Sequence, residues 1–457
     1  MSSISLLHGW APIALQAIAA VALVFAIGRR SRRWQRIWLP VSIAAGIVVA
    51  ALTYWFIKVT DMSGGVVAPV GFWIWVGLAG LALVVLVLGW REAGWWRRAV
   101  SLLAVPLTLV CVALAVNQWT AYFPTVQSAW GQFSGHPLPG QTDEHSVDAL
   151  RDPGGSPEQG KIVTITVPDG GSDFKHRDEL VYLPPAWFAS DPPPTLPAIM
   201  LVGGEFGSPN DWLRAGNAQQ VADEFAAAHG GQAPVLVFVD AGGAFRNDTE
   251  CVDGVRGNAA AHLTNQVVPY VVSRFGVSSD PANWAVAGWS MGGTCAVTLA
   301  VKYPELFSAF LDIDGDLFPN AGTREQSIAR LFGGDEAAFD AFDPTAIIPN
   351  HGLYQGMAGW FSIVDSAPPV YRPAGTDPSA APPLGPAPDP RDHSAAANHL
   401  CELGSQYGIE CAVVAEQTEH DWQGAAKVLA EALPWLAGKI GSPGAPPVPL
   451  PGAPAAG

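Results

Sequence analysis

Charge is scarce in this sequence and unevenly placed. Asp, Glu, Lys and Arg make up 14% of the 457 residues, and the first 120 hold only two acidic side chains, Asp61 and Glu92. That stretch carries nine Lys and Arg, which leaves 15 basic against 38 acidic residues in the remainder. So anionic a region lacks the clustered Lys and Arg that hold phosphates, which excludes nucleic acid as a partner. Cysteine is sparse as well. Cys111 lies in an apolar run, and Cys251, Cys295, Cys401 and Cys411 lie in the polar part. An even number there allows two disulfides if that part is exported, or four buried thiols if it is not.

Four apolar runs, at 9–28, 37–57, 70–90 and 99–118, each approach the ~20 residues a helix needs to cross a bilayer. None contains Asp, Glu, Lys, Arg or His in its core. That absence argues against a transporter or channel, whose pathways need intramembrane ionisable groups, and favours a plain anchor. Gln16 and Asn117 are the most polar side chains in the runs. The first run has no basic flank before it and no clear small-residue cleavage site after it, so it reads as a retained span rather than a signal peptide. Arg29, Arg30, Arg32, Arg33 and Arg36 follow span one, and Arg91, Arg97 and Arg98 follow span three. The loop after span two has only Lys58 and Asp61. Basic loops stay cytoplasmic, which puts both chain ends outside.

Residues 121–160 read as a linker ending in a Pro, Gly and acidic stretch. The segment 161–440 then alternates short apolar runs with helical patterns. KIVTITVP and ELVYLPPAWF suggest a strand pair. PAIMLV (197–202), PVLVFVD (234–240), WAVAGW (284–289), FSAFLDID, GMAGWFSIVD and IECAVVAE are continuous enough to be strands buried on both faces. Helical patterns lie between them, with the last ones near 393–407 and from Trp422 to about Leu436. Such alternation implies a mostly parallel sheet with helices on both faces. A Pro-rich stretch at 367–392 reads as a surface excursion. The tail 441–457 reads as disordered.

Gly288-Trp289-Ser290-Met291-Gly292 fits G-x-S-x-G. It follows a buried strand and opens an Ala-rich helix, the context in which a sharp turn exposes a nucleophilic serine in an α/β-hydrolase. A serine hydroxyl needs a base, and the chain order in this fold is Ser, acid, His. His420 follows the last strand and precedes the last helix; His351, His393 and His399 do not. The acid should end the strand before the last one. Asp365 holds that position, with Asp392 as competitor and Asp389 weaker. Asp312, Asp314 and Asp316 come one strand too early, and are expected to line the pocket or cap a turn. Asp421 should point away from its neighbour. The oxyanion donors should be the backbone N–H of Met291 and that of Glu205 or Phe206, in the Gly-rich loop 203–207.

The stretches LVGGEFGSPNDW, DTECVDG, GWSMGGTCA, LFGGDEAAF and EHDWQ resemble the esterase family that includes esterase D and the mycolyltransferases, and most of all its membrane-anchored actinobacterial members. The resemblance covers roughly 160–440. It implies acyl transfer from an ester through a serine acyl-enzyme, with neither cofactor nor metal. Two departures stand out. Gly203-Gly204 replaces the usual His-Gly or Asp-Gly, and the Pro-rich excursion follows Asp365, whereas the mycolyltransferases take their acid from the helix beyond.

With the polar part outside, Cys251–Cys295 and Cys401–Cys411 are expected to be bridged. They would restrict the unfolded chain by roughly 4 and 3 kcal/mol in the chain-entropy picture. The expected architecture is thus four transmembrane helices (1–120), a linker and an α/β-hydrolase domain. The expected function is hydrolysis of a carboxylic ester in a lipid or cell-envelope molecule at the cell membrane. Acyl transfer to a sugar or lipid hydroxyl and removal of aminoacyl groups from phospholipids share the same residues. A non-catalytic scaffold would not need Ser290 and His420 in these contexts.

Overall fold

The computed structural model describes residues 4–28, 31–60, 68–155 and 157–454, and the chain divides into two compact units, with the boundary between His136 and Pro137 in sequence. Arg29, Arg30 and Asp61, used above to orient the chain, lie outside the described residues.

Among its described residues the first unit contains four helices long and apolar enough to cross a membrane: α1 (Trp10–Ile27), α2 (Leu39–Thr60, entered through a wider turn at Trp34–Trp38), α3 (Val70–Gly89) and α4 (Trp95–Thr120). Their outward residues, among them Ile47, Leu52, Trp55, Val87, Leu102 and Leu109, are large, apolar and exposed. Water would disfavour that surface and hydrocarbon would not, so composition all round the helix, rather than one apolar stripe, marks these segments. Small residues let α2 and α3 approach closely: a Cβ on Gly46 would strike the carbonyl of Gly77, and one on Gly80 would press on Val49. Asn117 satisfies its amide locally, donating to Phe123 O and accepting from Phe123 N at 2.9 and 2.7 Å.

The second unit is built on a ten-stranded sheet. Its strands are β1 (Gln141–Asp143), β2 (Lys161–Ile165), β3 (Glu179–Leu183), β4 (Ala198–Val202), β5 (Val235–Val239), β6 (Trp284–Trp289), β7 (Ala309–Ile313), β8 (Ala358–Val364), β9 (Val370–Arg372) and β10 (Glu410–Glu416). The spatial order is β1-β2-β3-β5-β4-β6-β7-β8-β10-β9. β2, β3 and β5 are joined antiparallel, β4 to β8 and β10 run parallel, and β9 closes the edge antiparallel to β10. The central strands AIMLV, VLVFV, WAVAGW and AFLDI are buried at every residue, as continuous apolar runs require when both faces are covered. This is an α/β-hydrolase sheet with helices packed against it, following four long apolar helices.

Two expectations at the margins, the linker and the tail, need correction. The linker 121–160 is not free of structure, because Gln141–Asp143 pairs with β2 as an edge strand. The Pro-rich stretch 367–392 does lie at the surface, with no residue buried; it adds the edge strand β9, and Pro390 O accepts from Leu317 N at 3.0 Å. The tail read as disordered is held at two points among its described residues, most of the others being exposed. Ser442 and Leu450 are each 3% exposed, and Ile440 O accepts from the Asn283 side chain. Composition signalled Pro-rich chain correctly, but not that Leu450 within it is buried.

Candidate active site

Ser290 sits between the last residue of β6 and the helix Met291–Lys302, in a left-handed conformation with φ 57° and ψ −124°. This costs a non-glycine residue free energy and is held by Ser290 N donating to Ile313 O at 2.8 Å. The flanking glycines are steric necessities. A Cβ on Gly288 would strike the backbone of Gly292, and one on Gly292 would strike the carbonyls of Val202 and Gly203.

His420 lies in the loop between β10 and the helix Trp422–Lys439. Its Nε2 is 3.1 Å from Ser290 Oγ and its Nδ1 is 3.3 Å from Asp314 Oδ2. The arrangement assigns the tautomer: Nδ1–H donates to the carboxylate and the Nε2 lone pair faces the hydroxyl. Trp289 and His393 flank the imidazole, with ring centroids at 5.2 and 5.1 Å. Asp421 is turned away, accepting from Gly424 N at 2.7 Å as the cap of the helix that follows.

The carboxylate beside His420 is therefore Asp314, not Asp365. Asp314 follows β7 directly, at φ 53°, and is 5% exposed. It is pinned three ways: its N–H donates to Ser362 O, and its Oδ1 accepts from Val364 N at 3.0 Å while Oδ2 faces the imidazole. Asp365 is exposed. Its N–H continues the β8–β10 pairing through Glu416 O, and its carboxylate accepts from Ser366 N. Asp392 caps the helix His393–Gln406 through Ala395 N, and Asp389 accepts from Arg391 N, so both competitors are spent on local turns. The rule that the acid ends the penultimate strand failed because two adjacent strands both end in Asp. Acids within and just beyond the buried run of β7 (312, 314, 316) were the available signal. Asp312 does cap a turn, accepting from Gly315 N at 2.8 Å. Burial, reinforced by the charge of Asp314, pushes its carboxyl up to about 7 against the opposing Gly315 hydrogen bond.

Glu205, Phe206 and Met291 line one cleft with Gly203 and Gly204. Met291 opens its helix, so its N–H has no partner within that helix. A Cβ on Gly204 would lie 3.1 Å from the Trp289 ring, a tight contact that the ring would have to relieve, whereas Gly203 has room. Arg177 carried no sequence signal; it lines the same cleft and braces this loop. It grips Asp240 with two nitrogens at 3.0 and 2.6 Å and donates to Gly207 O at 2.9 Å.

Among the described residues, two groups have donor atoms close enough to share an ion, His176/Glu179/His262 and Asp314/His393/His420. In the first, the two imidazoles are stacked at 4.1 Å with planes 22° apart, so one ion cannot lie in both ring planes. Gln266, oriented by its own partners so that its amide accepts from Gly170 and Ser172, donates to His262 Nδ1 and leaves Nε2–H for Glu179. In the second, His420 already uses both nitrogens within the Ser290–Asp314 chain.

Cys251–Cys295 and Cys401–Cys411 are both bridged, with Cα separations of 5.6 and 5.7 Å, and Cys111 is a buried free thiol. The first bridge ties the loop after β5 to the helix that carries the nucleophile elbow.

A sheet of this order with a serine elbow at the end of a central strand defines an α/β-hydrolase. Residues 175–434 match the family described as Putative esterase, and the chain belongs to that family, whose enzymes are serine ester hydrolases and acyltransferases. An uncharacterised protein of Corynebacterium glutamicum is 32% identical over 293 residues, 62% of this chain. The match spans 63% of that relative's length. Among solved structures, an S-formylglutathione hydrolase from Agrobacterium tumefaciens aligns at 15% identity and TM-score 0.46, over 63% of this chain and 98% of its own. A ferulic acid esterase aligns at 18% and 0.44, over 62% and 99%.

Proposed function

We propose that this protein is a membrane-anchored serine esterase whose catalytic unit lies outside the cytoplasm and whose substrate is a carboxylic ester of a lipid or cell-envelope molecule. The observation that carries the chemistry is the single imidazole of His420 between Ser290 Oγ and Asp314 Oδ2. Nε2 takes the hydroxyl proton as Oγ bonds to the ester carbonyl carbon, and Asp314 stabilises the resulting imidazolium. The carbonyl oxygen becomes an oxyanion facing the N–H groups of Met291 and Glu205. Collapse breaks the bond to the alkoxy oxygen, which leaves with the proton from Nε2. Water then enters and loses a proton to the same nitrogen as its oxygen bonds to the acyl carbon; the bond to Oγ breaks, Oγ takes the proton back from Nε2, and the acid is released. If a sugar or lipid hydroxyl takes the place of that water, the same acyl-enzyme yields acyl transfer.

The location rests on the four apolar helices, on the basic residues after α1 and α3, and on two disulfides that need an oxidising compartment. A reporter fused after Gly457 is expected to be active only outside the cytoplasm; activity inside would remove that part of the proposal. The chemistry is tested by incubating the purified full-length protein with an envelope lipid extract and identifying products. Free acid and alcohol support hydrolysis, a new ester supports transfer, and no change together with no labelling of Ser290 by a fluorophosphonate defeats both.

A further inference from the structure

The chain that leaves the last apolar helix is tied down before the first unit ends. α4 stops at Thr120, where Ala121 is left-handed at φ 48°. Asn117 holds both backbone groups of Phe123, and the segment beyond pairs with the N-terminal residues. Thr125 faces Ser5 across a β-bridge, Leu6 N donates to Pro124 O at 3.0 Å, and Val126 N donates to Ile4 O at 2.9 Å. A short helix, α5 (Val126–Phe133), starts at that clamp. Thr125 and Ser128 cap it reciprocally, each side chain accepting from the other's N–H at 3.1 Å.

α5 has two unlike faces. Val126, Trp130 and Phe133 recur at i, i+4 and i+7, the spacing of a single helical face, and are 41%, 69% and 78% exposed. Gln127, Ser128 and Gln132 point elsewhere around the axis. Eight residues make a marginal helix in water, so this apolar face needs a cover to hold it. Phe133 touches only the Phe123 ring at 5.6 Å among aromatic neighbours and stays mostly open. Three observations identify the cover. α5 belongs to the same compact unit as α1–α4 and is clamped to the end of α4, where a spanning helix leaves the hydrocarbon. Trp130 supplies the kind of amphipathic ring that settles at headgroup level. No Asp, Glu, Lys or Arg occurs between Arg98 and Asp143, so burial in a lipid surface desolvates no charge.

We propose that α5 lies in the interfacial layer of the bilayer that α1–α4 cross, with Val126, Trp130 and Phe133 among the upper acyl chains and its glutamines toward water. The partner is a lipid surface, bound by apolar contact and not by headgroup charge. The inference rests on the membrane-anchored reading and adds a second, non-spanning contact with the same bilayer.

The test uses the full-length protein in phosphatidylcholine vesicles, with Cys111→Ser removing the free thiol and both disulfides left intact. Val126→Cys and Trp130→Cys each carry a thiol-linked fluorophore on the apolar face, and Gln127→Cys and Gln132→Cys carry it on the polar one. Leu109→Cys, at an exposed position of α4, is the spanning control. Labels on the apolar face should be quenched by lipids with a nitroxide high on the acyl chain, and should be quenched by aqueous iodide about fivefold less than labels on the polar face. Vesicles containing phosphatidylglycerol should give the same values, because α5 carries no charge. Val126→Cys keeps Trp130, so the face is still read if loss of the tryptophan unseats the helix.

Equal iodide quenching on the two faces overturns the proposal. So does an apolar face shielded from iodide but not reached by the lipid nitroxide, which would mean that protein covers it. Lipid quenching that appears only with phosphatidylglycerol overturns it as well, since charge would then be the attraction. The control separates the two readings. If the Leu109→Cys label escapes lipid nitroxides at every depth, the membrane-anchored reading fails and the proposal falls with it. If that label is quenched while the apolar face of α5 is not, the proposal alone is overturned.

Discussion

Asp314 Oδ2 lies 3.3 Å from His420 Nδ1, although the two residues are 106 positions apart in sequence and Asp314 follows the strand next to the nucleophile's own. Asp314 turns inward because the backbone leaves the sheet in a left-handed conformation there, while the neighbouring β8 keeps its pairing with β10 as far as residue 365.

The first expectation follows directly. Asp314→Asn should lower kcat by about three to four orders of magnitude, because an amide no longer holds the imidazole in the correct tautomer or stabilises its charged form. Asp365→Asn and Asp392→Asn should leave kcat within about twofold. Steady-state kinetics on the three variants, with melting temperatures as a folding control, check this. A large loss at Asp365 alone would return the acid to the end of β8.

The general architecture was legible because it depends on patterns that leave a mark in composition. Four uncharged apolar runs, buried strands such as AIMLV and VLVFV, and the glycines around Ser290 each express one dominant physical demand. His420 was legible for a related reason, being placed after the last strand and before the last helix. The acid was not, because Asp314 and Asp365 both close buried strands, and only the direction of the next peptide separates them. Arg177 left no mark either. Its role comes from Asp240 and Gly207, residues 63 and 30 positions away.

Arg177 should act on the oxyanion loop from the edge of the cleft that it also lines. Arg177→Ala leaves the Asp240 side chain buried without its cation, a loss expected to cost about 3 kcal/mol of stability. It also frees Gly207 O, so kcat should fall while KM changes little. Arg177→Lys should restore part of the stability but less of kcat, since an ammonium cannot grip both carboxylate oxygens and the Gly207 carbonyl at once. Chemical denaturation alongside kinetics separates the two effects. A lysine variant equal to the native protein in both would remove the bracing role.

Asp312 gives a pH dependence of defined sign. Its folded-state pKa is raised to about 7 by burial, above the ordinary carboxylate value near 4 in the unfolded chain. Between those values the native state holds the extra proton, so this group makes stability fall as pH rises from about 4 to 7, then level off. Asp312→Asn keeps an oxygen for Gly315 N and removes the titration. The variant should therefore show a flatter stability profile over that range and gain relative stability by pH 8. Urea midpoints measured at half-unit pH steps test it, and parallel profiles for the two proteins would show that Asp312 does not titrate in this way.

The last expectation concerns the nucleophile and its base. Ser290→Ala and His420→Ala should each abolish ester turnover, and the double variant should be scarcely worse than either alone. The reason lies in the 3.1 Å contact between Oγ and Nε2. Without the imidazole the hydroxyl keeps its proton, and without the hydroxyl the imidazole has nothing to activate for the first step, so the two losses are one loss counted twice. Independent contributions would instead multiply. Fluorophosphonate labelling adds a second readout: it should vanish in Ser290→Ala and slow strongly in His420→Ala, because the probe needs the activated oxygen. Full turnover in Ser290→Ala would end the serine-hydrolase reading. Strictly multiplicative losses in the double variant would instead show that Ser290 and His420 act in separate steps.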